Sequence, residues 1–489
     1  MHPFPARAPL EGLEVDIFKL VSYSATPEQW NKWLRVPLEH AAARGNLDIF
    51  NKLLGAGADG GAGYQGCEGR TLLDAAAVGG NEEVVSGLLR AGAQPDVNVV
   101  SSSSRRSALY TATMLGHEAV ARRLVVAGAD VNFQDPVRQR SVLYEATKGG
   151  HEQLVTELLI GGADPNCRDG ERDDASPLHA AAIRGFGGIV SALLLRGADK
   201  DALDNRGETP LMWAVSGGGN LSIVTTLLAA GADDSIRCNN RYSVLDCAAR
   251  EGYDDVIKAI VGHGADVNAA DDRGYTALHT AAECDHARAV NALVEAGADV
   301  ERKNSRGVTP LLRTIYYSCC KGMLALLQHG AKVDVRGNDG NTPLHEACVR
   351  RFKGLEAAVD LLLRWGADQT ALNNDGQSPV ELLDVERRRE YITPRATQDE
   401  IDRTRLLLAR ALAWRRRGWL VMLCSRAQKA RISGSCGSDG QIEGDGPDLG
   451  DGLGYDAGDT VASTDAGANG GDGEGGVLRG VVALLEGME

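Results

Sequence analysis

The sequence predicts an all-α repeat solenoid, a stack of helix–turn–helix units joined by β-turn fingers. Three observations carry that prediction. A phrase of a small or hydroxyl residue, then Pro, Ala or Val, then Leu opens at Ser176, Thr209, Ser243, Thr276, Thr309 and Thr342, with spacings of 33, 34, 33, 33 and 33 residues. Looser copies open at Val36, Thr71, Ser107, Ser141 and Ser378, and a Gly-Ala-Asp phrase closes most units. Aromatic residues make up only 5% of a chain rich in Ala, Leu and Val, which suits a thin core shared serially between neighbours. A period near 33 residues is that of a β-turn followed by two short helices.

The copy opening at Thr276 shows the physics most plainly. Thr276 can cap the first helix by accepting an otherwise orphaned backbone N–H. Leu278, Ala281 and Ala282 fall at i, i+3 and i+4, one stripe on a helix of about two turns. Val290, Leu293 and Val294 repeat the spacing on the second helix, and Gly297 supplies the left-handed residue that ends it. Thr209-Pro210, Thr309-Pro310 and Thr342-Pro343 add proline at the first helical position, where its missing N–H costs nothing. Leu278 is therefore expected in the core and Tyr275 at an exposed turn tip.

The phrases Ser176-Pro177-Leu178-His179-Ala180-Ala181-Ala182 and Thr342-Pro343-Leu344-His345-Glu346-Ala347 resemble those of the ankyrin-repeat family, as does Thr276 to Ala282. The resemblance covers roughly residues 36–383, about ten full units and a degenerate eleventh. Several units depart from it. Tyr110, Tyr144, Met212 and Leu312 stand where the family carries His. One extra residue falls within Gly217-Gly218-Gly219, three more around Arg350–Gly354, and Ser318-Cys319 replaces an inter-helix Gly-His.

The ends of a solenoid need caps. Residues 1–35 are assigned to the N-terminal cap, with two short helices over 12–35: Ile17, Leu20 and Val21 form one stripe, and Trp30, Trp33 and Leu34 another. Residues 384–431 are read as a C-terminal capping helix and a basic amphipathic segment. A charged loop, 384–399, displaces the second helix of unit eleven to Glu400–Ala413, where Ile401, Leu406, Leu407 and Leu408 can close the stack. Residues 403–431 carry nine Arg or Lys and no acid, interleaved with Trp414, Trp419 and Leu420–Leu423. Two readings stand for this segment: a membrane-surface or calmodulin target, or a cap followed by a cationic stretch screened by the acidic tail.

That tail, 432–489, holds twelve acids and one arginine, so most of the net charge of −15 resides there. Its Gly- and Asp-rich composition predicts disorder. Strings such as Asp445-Gly446-Pro447-Asp448 lack the alternating ligands and closing glutamate of a calcium loop. The ten cysteines form no Cys-x-x-Cys pair, and Cys247 and Cys348 occupy core phrases, which fits a reducing compartment, cytoplasmic or nuclear. Neither a membrane span nor a secretory leader is expected.

Catalysis needs a nucleophile, a base and an anion site in one cleft, and no such constellation is present. His179, His279 and His345 all recur as the fourth residue of the opening phrase, a structural position. Glycine runs lack the Lys-Ser/Thr of a phosphate loop. The chain is therefore read as non-enzymatic, with no cofactor and no metal. The array also lacks a basic stripe, so nucleic acid is not expected as a partner.

What remains is an intracellular scaffold or adaptor, expected to be monomeric, whose partners are proteins. The family resemblance implies that they lie along a concave side, on the turn tips and the positions after the first helix. Carried onto this sequence, those positions are Arg241, Tyr242 and Arg250, then Arg273, Tyr275 and Glu283, then Arg306, Tyr316 and Tyr317. The alternative is an adaptor switched through 403–431 by a membrane surface or calmodulin. The resemblance also implies asparagine hydroxylation at Asn132, Asn166 and Asn268; Asn98 reads as out of frame.

Overall fold

A computed structural model describes residues 27–55, 58, 69–90, 97–170, 173–384 and 396–415. Among these residues are twenty-two helices in eleven consecutive pairs, with no strand beyond an isolated Gln134–Ser141 bridge. First helices pack on the first helices of adjacent units, and second helices on second helices. The fold is an all-helical repeat solenoid. Units are numbered here from Val36.

Unit eight shows how the phrase becomes structure. Its helices are Ala277–Glu283 and Ala287–Glu295. Leu278, Ala281, Ala282, Val290 and Leu293 are fully buried. Burying each leucine contributes about 1.5–3 kcal/mol, while the alanines let neighbouring backbones approach. Gly297 has φ +94°, the left-handed turn its position requires. Pro177, Pro210, Pro310 and Pro343 all stand in the first turn of their helices.

The irregular units keep the frame by local adjustments. In unit six the glycine run absorbs its extra residue at Gly218 and Gly219, with φ +116° and +64°. In unit nine Ser318 takes the left-handed position itself, at φ +64°. The three extra residues of unit ten are put to use. Phe352 is buried, the Arg351 carbonyl accepts from Ala396 N at 2.7 Å, and Gly354 N donates to Glu400 Oε1 at 3.1 Å. The insertion thus anchors the last helix.

That helix runs Gln398–Arg415 and buries Ile401, Thr404, Leu408 and Ala411. The expected leucine trio does not close the stack together, since Leu406 is half exposed. Burial follows the 401/404/408/411 stripe instead, as helical periodicity demands. At the other end, the second expected capping helix does not stop at residue 35. One helix runs Pro27–Ala43 and carries Pro37 inside it, so the capping segment and the first helix of unit one are continuous. Leu34, Leu38, Ala41 and Ala42 form its buried stripe. The Ile17–Val21 stripe, residues 416–431 and the acidic tail lie outside the described residues.

Candidate protein-interaction face

Asp204, Asp271, Asn304 and Asn373 each close a finger with the side-chain oxygen, while Cys238 and Gly337 hold the same position in units seven and ten through backbone bonds alone. In unit eight Asp271 Oδ1 accepts from the Arg273 and Tyr275 amides at 2.9 and 2.7 Å, which points Arg273 outward. Neighbouring fingers are tied backbone to backbone, Ser305 N donating to Arg273 O at 2.8 Å and Asn239 N to Arg206 O at 2.8 Å. Arg241, Arg273 and Arg306 are all exposed, and Arg241 pairs with Asp272 at 2.9 Å.

Tyr242, Arg250, Tyr275, Glu283, Tyr316 and Tyr317 are half-buried. The structure gathers them around arginines. Arg250 lies over the Tyr242 ring at 5.2 Å. Arg313 sits between Tyr275 and Tyr317, 4.8 and 4.5 Å from their centroids, and its Nε and Nη2 donate to Glu283 Oε2 at 2.9 and 2.6 Å. Arg350 covers Tyr316 at 3.7 Å, and its Nε donates to Glu346 Oε2 at 3.1 Å. Cation–π contacts of this kind contribute about 0.5–2 kcal/mol each. Tyr275 is therefore not the bare turn tip expected from its position: Arg313 roofs it, and its ring meets His279 edge-on at 5.6 Å. Tyr316 and Tyr317 end the first helix of unit nine rather than follow it.

Arg313, Arg350 and Glu346 are the members that sequence reasoning missed. Arg313 lies 38 residues after Tyr275, one period plus five. The contact is therefore visible only once first helices are stacked side by side.

The phrase histidines are committed to the stack. His179 Nδ1 accepts from Ser176 N at 3.2 Å, and its Nε2 donates to Glu208 O of the next unit at 3.0 Å. His279 does the same with Thr276 N and Val308 O, and His345 with Thr342 N and Gln377 O. Thr276 is thus bonded through the ring of His279, its hydroxyl lying 2.9 Å from Nδ1. Burial pushes the His179 and His279 pKa values down to about 4, and lowers that of His345. Neutral imidazoles serve here as bridges between units.

A second ladder runs along the Gly-Ala-Asp side. Asn132 Nδ2 donates to Gly162 O at 3.1 Å, while its Oδ1 accepts from Asp164 N at 2.9 Å. Asn166 and Asn268 repeat both bonds to Gly197 and Asp199, and to Gly297 and Asp299. Asn98 also makes them, to Gly128 O and from Asp130 N, so it is in frame with the others. The extra residues before it had hidden that register. Elsewhere, burial raises the thiol pKa of both Cys319 and Cys320, and Cys319 Sγ donates to Glu283 O at 3.0 Å.

A stack of two-helix units with projecting fingers defines a helical repeat protein. The family model described as ankyrin repeats in three copies matches residues 38–135, 143–238, 219–304 and 245–336, and the single ankyrin repeat model matches 339–374. The chain belongs to the ankyrin-repeat family. Repeats of this family are generally protein–protein interaction modules, which implies protein partners in general. No curated protein matches the chain. Among solved structures, the ankyrin repeat domain of Bcl-3, described as a unique member of the IkappaB protein family, is similar at 28% identity. The match covers 48% of this chain and 100% of that one, with a TM-score of 0.40. No helix among the described residues is long and apolar enough to cross a membrane.

Proposed function

We propose that the protein is a non-enzymatic intracellular scaffold or adaptor that binds a protein partner across the fingers and first helices of units seven to ten. The observation that carries this reading is the Arg–Tyr–carboxylate assembly. Tyr242, Tyr275, Tyr316 and Tyr317 are amphipathic side chains already held in place by Arg250, Arg313 and Arg350. Fixing such a side chain on binding costs about 0.5–1.5 kcal/mol, and much of that is met in the free protein. Tyr and Arg are also the residue types that dominate binding hot spots. The buried free thiols, Cys167, Cys238, Cys247, Cys319 and Cys348, support a reducing compartment. Affinity purification with the full chain, compared with Tyr242→Ala and Arg306→Glu variants, tests the reading. It expects partners that the variants lose, and recovery unchanged by both substitutions would overturn it.

The alternative, a membrane-surface- or calmodulin-responsive adaptor switched through 403–431, is favoured by one feature. The helix to Arg415 keeps Arg403, Arg405, Leu406 and Arg410 outward while Leu408 faces the stack. It expects a 403–431 peptide to gain helical circular dichroism on anionic vesicles or with calcium-loaded calmodulin. An unchanged spectrum in both would end it.

A further inference from the structure

Many guanidiniums along the first-helix face are neutralised within the fold. Arg106 is paired with Asp135, Arg237 with Asp246, Arg313 with Glu283 and Arg350 with Glu346. Three cations of units four and five depart from this rule, although Arg140 between them is paired with Glu145. An open groove of about 390 Å³ there is lined by Arg138 from a finger, Lys148 from the first helix of unit four and Arg184 from that of unit five. None of the three has a carboxylate partner among the described residues. Glu145, the acid in the lining, is already held by Arg140 Nη1 at 3.2 Å and by the Tyr110 hydroxyl at 3.4 Å. His151, the remaining titratable group, lies 3.8 Å from Glu118. The same lining includes Met114 and Leu115, and Leu115 is 45% exposed.

We propose that this groove is a second binding site, one that takes an extended acidic peptide whose carboxylates or phosphoseryl group lie beside an aliphatic residue. The inference rests on the array being a protein-interaction scaffold, and it assigns chemistry to a part of the array distant from units seven to ten. Arg138 and Arg184 offer planar forks of donors that match carboxylate or phosphate oxygens, and Lys148 offers a point charge. Cations without an internal partner keep their full charge for a ligand, whereas each neutralised arginine elsewhere would first have to give up its own carboxylate. Met114 and Leu115 give the aliphatic side chain somewhere to leave water. That apolar component favours a peptide over the phosphate backbone of a nucleic acid.

The test is fluorescence anisotropy with the full chain and three labelled short peptides. One carries Leu-Glu-Glu-Leu, one has phosphoserine in place of the first Glu, and one has Gln in place of both. The acidic peptides should bind, the Gln peptide should not, and the two acidic arms decide between carboxylate and phosphate. Lys148→Glu combined with Arg184→Glu should weaken binding by roughly a hundredfold, because charge-assisted bonds to two cations are lost. The milder Lys148→Gln with Arg184→Gln should cost roughly tenfold and guards against misfolding, checked by circular dichroism. Arg288→Glu with Lys321→Glu, exposed on the second helices of units eight and nine and outside both sites, should leave peptide binding unchanged. Binding by none of the peptides, equal binding by wild type and both groove variants, or tighter binding of a labelled oligouridine would overturn the proposal. A partner recovered through units seven to ten while the peptides fail would sink the groove alone. Recovery of no partner while the peptides bind would instead count against the proposed site on units seven to ten.

Discussion

His279 offers the sharpest test of how units are joined. In the folded chain its ring is neutral: Nδ1 accepts from Thr276 N, Nε2 donates to Val308 O, and burial holds the pKa near 4 against an ordinary 6.5. Arg313 and Arg302 push in the same direction as burial, and burial outweighs the opposing pull of the Val308 carbonyl and Asp271. A folded pKa below the unfolded one means that the unfolded chain takes up the proton first. The stability due to the neutral ring is therefore complete above pH 6.5 and is lost as pH falls towards 4. At about pH 5 the loss is about 2 kcal/mol relative to about pH 7.5, by proton linkage over that shift. His279→Gln removes the titrating ring and disrupts both hydrogen bonds, at a cost of about 1–3 kcal/mol at neutral pH. The gap between wild type and variant should then narrow by about 2 kcal/mol on acidification. Units unfold as neighbours rather than all together, so the readout is local. Both proteins are equilibrated in urea at each pH, pulse-labelled with deuterium at one common pH, and read by mass spectrometry over units eight and nine. A gap that is the same at both pH values would refute a neutral, buried bridge.

Three further outcomes are expected. Leu278→Ala should cost about 2–5 kcal/mol, with lost exchange protection concentrated in units seven to nine; uniform loss across the array would show a single cooperative domain instead. Tyr275→Ala should cost about 1–2 kcal/mol rather than the near-zero value of a bare turn tip, because it strips Arg313 and His279 of a ring. A denaturation midpoint equal to wild type would contradict that. Asn132→Ala should cost about 0.5–1.5 kcal/mol and speed exchange at the Asp164 amide more than at Asp199, since it breaks the rung between units three and four only.

Much of this architecture can be read before any coordinates. The 33-residue phrase places Leu278, Ala281 and Val290 in the core and Gly297 at a left-handed turn, because each unit's local periodicity and capping agree with burial between identical neighbours. Two registers differ from the sequence reading. Asn98 reads as out of frame because its unit carries extra length, and in the final helix Thr404 and Ala411 are buried while Leu406 is exposed because only the former share a face with Ile401 and Leu408.

By itself, the sequence determined the unit: its two helices, its caps, its glycine stops and the number of copies. Those depend on residues within a few positions of one another, and local chemistry is written locally. The tertiary structure decided which side chains of different units meet. Arg313 reaches back 38 residues to Tyr275, His279 forward 29 to Val308, and Arg138, Lys148 and Arg184 converge from two successive units. Such meetings depend on the lateral offset between stacked helices, a quantity set by how alanine and leucine side chains interlock across the stack. No pattern within one repeat encodes it.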